Sequence, residues 1–157
     1  AGELARGATI YVSLEPCNHY GRTPPCSEAL VAAGVAKVVV GMVDPNPLVG
    51  GGGIARLREA GIEVLVGVEE EACRQINEAF VHRILYRRPF GILKYAMTAD
   101  GKIAATTGHS SWITALDARN EVHQLRAACD AVVIGGNTLR QDNPHLTSHE
   151  VEGHNPL

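Results

Sequence analysis

The spacing of apolar and polar positions changes several times along the chain. Residues 8–14, ATIYVSL, form a β-prone run that breaks at Glu15 and Pro16, which predicts a strand entering a loop. Pro24 and Pro25 then open a helix that runs to about Ala33 and stops at Gly34. Residues 35–43, VAKVVVGMV, are almost all apolar and largely β-branched, the pattern of a strand covered on both faces in a parallel sheet. DPNP at 44–47 ends it. A short helix from Ile54 to Ala60, a second buried strand at 62–68 and a helix from Glu69 to about Leu85 follow. Cys73, Ile76, Phe80 and Ile84 form one stripe along that last helix. The β-α-β-α-β-α rhythm predicts an α/β layered unit.

YRRP at 86–89 is short, basic and proline-terminated, which suits a boundary. Residues 90–97, FGILKYAM, restart the pattern as a strand with Lys94 inside it, and Asp100 and Gly101 make a turn. Thr114 is placed to cap a helix from Ala115 to about Ala128 with Ala118, Val122, Leu125 and Cys129 along its stripe. DAVVIGG at 130–136 reads as another buried strand, and from Gln141 the chain is polar and broken by prolines. These patterns predict two units, residues 1–87 and 88–157. The second has one β-α-β passage and reads as the start of a domain.

A chain of 157 residues fits one domain or two partial ones. Its 45% apolar and 20% charged residues are ordinary for a globular protein that needs neither metal nor disulfides to fold. A net charge of −3 argues against bulk attraction to nucleic acid or to an anionic membrane and leaves room for a small basic pocket. No apolar run approaches a membrane span. AGELARG is not a signal peptide and lacks an initiator Met, so the chain reads as part of a longer one. The four cysteines do not form a disulfide framework and suit a reducing compartment. Cys73 and Cys129 have apolar neighbours and read as small core residues.

Cys17 and Cys26 lie in EPCNHYGRTPPC, residues 15–26. Cys17 follows a strand, and Cys26 falls in the first turn of a helix, where free N–H groups and the helix dipole favour a thiolate. Two such thiolates can hold half of a tetrahedral zinc shell, and a catalytic zinc needs a third protein ligand and an open position. The alternative is a pair of unmetallated thiols near a loop. Glu3 falls outside any catalytic pattern. Glu15 suits an orienting or capping role, and His19 is the spare imidazole, suited to a ligand pocket, a loop carbonyl or an adventitious metal. GGGG at 50–53 precedes a helix but lacks the lysine and hydroxyl of a P-loop, and reads as a tight turn with close backbone packing. In the second half, Lys94 must reach an edge or a ligand, and Trp112 in HSSWIT can plug a core or flank a flat ligand. Arg126 lies near a helix C-terminus, and Asn137, Thr138 and Asp142 follow a predicted strand end, where α/β sheets bind ligands.

EPCNHYGRTPPC and DPNPLVGGGG at 44–53 resemble the zinc loop and following loop of the bifunctional riboflavin-biosynthesis deaminase–reductases. KYAMTADGKIA at 94–104, SSWIT at 110–114 and GGNTLRQDNPHLT at 135–147 resemble that family's reductase half. The resemblance implies a three-layer, cytidine-deaminase-like unit followed by the start of a dihydrofolate-reductase-like domain. It makes Cys17 and Cys26 ligands of Zn2+, with the family's H-A-E segment expected before Ala1. It implies NADPH contacts at Ala96, Trp112, Thr138 and Asp142, and substrate contacts at Ser110, Arg126 and Leu146. Lys94 would approach the ribityl chain or its imine precursor. Ala99 and His149 stand where the family commonly has Leu and a basic residue, often Arg, and His149 is expected to hold a substrate phosphate less firmly. The implied reactions are zinc-dependent deamination of a phosphoribosylamino-pyrimidine and NADPH-dependent reduction of its ribosyl group to ribityl. The resemblance also implies a cytoplasmic protein and a homodimer formed through the reductase half. A nucleic-acid deaminase would need a basic groove and a shorter cysteine gap. The competing expectation is a noncatalytic zinc-binding or scaffold fragment.

Overall fold

The computed structural model describes residues 2–149 and 151–157. The chain divides into two compact units, Ala1–Ile92 and Leu93–Leu157. In the first unit, strands β1 (Thr9–Leu14), β2 (Lys37–Met42) and β3 (Glu63–Val66) form a parallel sheet in the order β1-β2-β3. Ile10 pairs with Val38, and Val38 with Val64, so the pleat sends these β-branched side chains to one face. There they meet helices α1 (Cys26–Ala33) and α2 (Gly52–Glu59). Val35, Val38, Val40, Leu57 and Ile62 are buried at the centre, with Ile10, Val12, Leu30 and Val31 around them. Helix α3 (Glu70–Ile76) covers β1 and β2 on the opposite face, completing three layers.

Local chemistry sets the ends of these elements. Gly34 closes α1 in the left-handed conformation (φ 67°), and its N–H donates to the Val31 carbonyl. Gly41 lies beneath α3, where an added Cβ would collide with the Cys73 thiol. Arg56 on α2 makes a forked ion pair with Glu28 on α1, with Nε–Oε1 at 2.6 Å and Nη2–Oε2 at 3.1 Å. That guanidinium holds the Glu28 carboxyl below its usual range. A depressed acid contributes its stability above its unfolded pKa and loses it as the pH falls through the folded one.

The buried carboxylate of Glu15 joins β1 to α2. Glu15 is 4% exposed. Its Oε1 accepts from the N–H groups of Gly53 and Ile54 at 2.9 and 3.1 Å, and its Oε2 from those of Gly51 and Asp44 at 2.8 and 3.2 Å. The glycine run therefore does bind an anion at a helix N-terminus, and the anion is the chain's own. Gly53 is required there, because a Cβ would collide with the Pro16 carbonyl.

Several expectations are corrected. The strand expected to be buried at 62–68 is a sheet edge, with Leu65 43% and Val66 39% exposed. The helix expected over 69–85 is two, α3 and α4 (Glu78–Tyr86), because Asn77 leaves helical geometry and its side-chain amide donates to the Cys73 carbonyl. Ile76 is consequently 74% exposed, and Val81 is the buried member of α4. In the second unit, helices α5 (Leu116–Ala127) and α6 (Gly136–Asp142) form, the latter unforeseen. Ala115, not Thr114, occupies the N-cap of α5, and no side chain caps it. Neither 90–97 nor 130–136 is a strand. Apolar β-branched composition makes an extended segment, but a strand needs a ladder partner. FGILKYAM has none among the described residues. Among the described residues Asp130 and Val132 pair only with Leu157, through bonds of 3.0 and 2.9 Å.

Removing the Glu15 carboxylate leaves four backbone donors without their acceptor. Glu15→Ala is expected to cost about 3 kcal/mol or more in urea unfolding, and Glu15→Gln less, since its amide oxygen still accepts. Unchanged midpoints would show that this anchor contributes nothing to stability.

Candidate functional site

Helix α1 begins against the loop that follows β1. The Ser27 N–H donates to the Cys17 carbonyl at 3.1 Å, and the buried Ser27 hydroxyl donates to Asn18 Oδ1 at 2.7 Å. These bonds bring the two cysteines together, with the Cys26 N–H donating to Cys17 Sγ at 3.3 Å. Cys17 is half-buried and Cys26 exposed, and both are free thiols. The Cys26 thiol is pushed above its ordinary range, chiefly by its hydrogen bond with Cys17, then by burial and by the Cys17 charge. The second thiol beside it therefore opposes the effect of the helix N-terminus on Cys26. The pair has the chemistry of two zinc ligands. No group of three or more His, Cys, Asp or Glu able to hold a metal occurs among the described residues, so these thiols do not complete a metal shell. His19 is exposed on the loop and joins no such group.

The second unit contains a cavity of about 490 Å³ lined by residues from four segments. Lys94 and Ala96 come from the extended segment, Ser110 and Trp112 from the loop before α5, Arg126 from α5, and His149 from the polar tail. Six sequence candidates thus converge, whereas Thr138, Asp142 and Leu146 do not line this cavity. Thr138 and Asp142 are exposed on α6, and Leu146 is half-buried beyond it. The Ser110 hydroxyl donates to the Ile103 carbonyl at 2.9 Å, and Arg126 Nη1 donates to the Thr147 carbonyl at 3.4 Å. Trp112 holds a left-handed backbone (φ 53°), 77% exposed, with the Arg119 guanidinium 4.0 Å from its ring centroid. That geometry is a cation–π contact.

Two ionisable lining residues were missed from sequence, Arg119 and His123. The signal was present: Arg119, His123 and Arg126 are spaced i, i+4, i+7 in ARNEVHQLR and fall on one helix face. His123 lies edge-on to His149, with ring centroids 4.3 Å apart. Burial lowers its pKa, and His149, Arg126 and Arg119 lower it further by charge.

Comparison with known proteins matches these two sites to two sequence families. Residues 2–42 match the cytidine and deoxycytidylate deaminase zinc-binding region, and residues 89–157 match the RibD C-terminal domain. The chain therefore joins a zinc-deaminase-like α/β unit to a reductase-related one. It is 69% identical over its whole length to the riboflavin biosynthesis protein RibD of Synechocystis sp., covering 43% of that protein. It is 54% identical to the RibD of Aquifex aeolicus over 94% of its own length and 41% of the relative's. A crystal structure of a diaminohydroxyphosphoribosylaminopyrimidine deaminase/5-amino-6-(5-phosphoribosylamino)uracil reductase from Thermotoga maritima superposes with a TM-score of 0.88 at 47% identity, over 96% of this chain and 43% of that one. The chain belongs to the RibD family of riboflavin-biosynthesis proteins, and it spans less than half the length of these relatives. No helix among the described residues is long and apolar enough to cross a membrane.

In metal-free protein, alkylation of Cys26 should follow a titration midpoint above the ordinary cysteine value of about 8.5. Replacing Cys17 with Ala removes the main cause, so Cys26 should then react several-fold faster near pH 8. Equal rates in the two proteins would mean that the thiols do not interact.

Proposed function

We propose that the chain supplies part of a two-step riboflavin-biosynthesis enzyme, a deaminase and a reductase acting on phosphoribosylamino-pyrimidines. The observation that carries this reading is the pairing of Cys17 with Cys26 in one unit and a basic cavity in the other. The thiols suit two positions of a Zn2+ shell, and zinc, when bound, supplies the Lewis acid for hydrolytic loss of ammonia. This chain's own part there is to hold two sulfurs in fixed orientation: Cys17 through the strand and loop that Glu15 anchors, and Cys26 through α1. NADPH, when bound, supplies the hydride that opens the ribose, and the protein's part is orientation. Trp112 offers a flat, exposed ring for a nicotinamide or its ribose, alongside Ala96. Ser110, Lys94 and Arg126 offer polar contacts to a sugar phosphate in the same cavity. Thr138 and Asp142 on α6 suit a more distant part of the cofactor, and Leu146 the substrate. Domain limits near residues 87 and 88 and assembly as a homodimer through the reductase half belong to the same proposal.

A second reading, a noncatalytic zinc-binding or scaffold fragment, is favoured by one observation: two thiols are gathered but no third ligand joins them among the described residues.

The test uses purified chain, with and without substitutions. NADPH is expected to bind with an affinity that falls about tenfold or more in Trp112→Ala, while Arg126→Ala keeps cofactor binding and weakens that of the sugar-phosphate substrate. Zinc content should fall in Cys26→Ser. With no third ligand and no carboxylate proton carrier beside the thiols among the described residues, the chain alone should give no steady release of ammonia. Parallel loss of both ligands with a large drop in Tm would assign Trp112 and Arg126 to stability alone. Equal zinc in wild type and Cys26→Ser would remove the metal site.

A further inference from the structure

Cys17 and Cys26 are free thiols, nine residues apart in sequence, whose side chains hydrogen-bond to each other. The groups that hold them there are not the sulfurs. The Ser27 N–H donates to the Cys17 carbonyl at 3.1 Å, and the Ser27 hydroxyl, fully buried, donates to Asn18 Oδ1 at 2.7 Å. Pro25 and Ser27, on either side of Cys26, are buried, while Cys26 itself is exposed. Its backbone is therefore fixed and its thiol reaches solvent. Glu15 and Pro16, both buried, fix the strand exit that precedes Cys17.

Two thiols in this arrangement can do something besides bind a metal. Closing a disulfide in a flexible chain costs loop entropy, and here folding has already brought the ends together. Thiol–disulfide exchange needs one sulfur open to an incoming oxidant and a second beside it to complete the exchange. Exposed Cys26 meets the first need, and half-buried Cys17 the second. The remaining cysteines are placed differently. Cys73 packs against Gly41 beneath α3, and Cys129 follows α5 in the second unit.

We propose that Cys17 and Cys26 form a reversible redox switch: in the metal-free chain a small disulfide, such as oxidised glutathione, converts them to an intrachain disulfide, and that bond keeps zinc out. The Cys26 thiolate attacks one sulfur of the oxidant, forming a mixed disulfide and releasing one thiolate. The Cys17 thiolate then attacks the Cys26 sulfur, closing the protein disulfide and releasing the second. Two protein thiols lose two electrons and two protons, and one oxidant disulfide becomes two thiols. Zinc binds thiolates, and a disulfide has none, so the oxidised loop offers the metal no sulfur ligand. In a reducing compartment the pair stays reduced, and a disulfide of this kind reports oxidation rather than supporting the fold. The effect on zinc rests on the reading of this pair as a zinc site; formation of the disulfide does not.

Arg22 lies between the two cysteines, so trypsin separates Cys17, in residues 7–22, from Cys26, in residues 23–37. The whole chain, freed of metal and treated with oxidised glutathione at about pH 8, where a fraction of thiols is ionised, is alkylated, digested and read by mass spectrometry. The two peptides are expected as one linked species that separates on reduction with dithiothreitol, and that species should be absent from Cys26→Ser. Excess Zn2+ added before the oxidant should slow the linkage about tenfold or more, because it binds only the reduced pair. The oxidised chain should take up no zinc until it is reduced. No linked species in the metal-free chain, or only glutathione adducts on the separate peptides, would overturn the proposal. A main product linking either cysteine to Cys73 or Cys129 would overturn it too. The metal reading fails in a different way: equal zinc in reduced wild type and Cys26→Ser would defeat that reading and the exclusion of zinc with it, while the linked peptides alone decide the disulfide.

Discussion

The first unit depends on one buried carboxylate. Glu15 follows β1, and its two oxygens receive four backbone N–H groups from the segment that follows β2 and begins α2. Charge-assisted bonds of this kind are stronger than those between neutral groups, and they satisfy donors that a helix N-terminus otherwise leaves unpaired. The contact fixes the direction in which the chain leaves the sheet. Cys17 lies two residues further on. Its carbonyl takes the Ser27 N–H, and its sulfur takes the Cys26 N–H, so the thiol pair inherits its geometry from the Glu15 anchor. Gly53 belongs to the same device, because only a residue without Cβ lets α2 approach the Pro16 carbonyl.

The two units use their chemistry differently. In the first, several charged groups are matched: Glu15 with backbone donors, Glu28 with Arg56, Lys37 with Glu63. What remains for a ligand is a pair of soft sulfurs, suited to a metal such as zinc. In the second, basic groups face a cavity with no acid to answer them among the described residues, and the ring of Trp112 borders the same space. A soft dithiol site and a basic, aromatic-edged cavity suit the proposed hydrolytic and reductive steps respectively.

Much of the first unit was legible because its signals are local. Pro25 and Gly34 bound α1, the β-branched run at 37–42 makes the central strand, and the cysteine loop lies between them. The edge position of β3 was not legible, since an apolar run does not say how many neighbours a strand will have. The break at Asn77 depends on one side-chain amide choosing a backbone carbonyl over solvent. The second unit was harder. FGILKYAM and DAVVIGG have strand composition, yet ladder formation depends on partners elsewhere in the chain. Of the residues named from the sequence, Cys17 and Cys26 come together and six line one cavity. Arg119 and His123 were overlooked because each looks ordinary alone, and their meaning comes from the helix face they share with Arg126.

The central claim is that the anchored loop presents Cys17 and Cys26 to one metal ion. X-ray absorption at the zinc edge, on chain loaded with one equivalent of Zn2+, measures this directly. The account predicts two sulfur neighbours at about 2.3 Å, with lighter atoms completing the shell. A spectrum with one sulfur or none would contradict it, because the two thiols would then not share the ion.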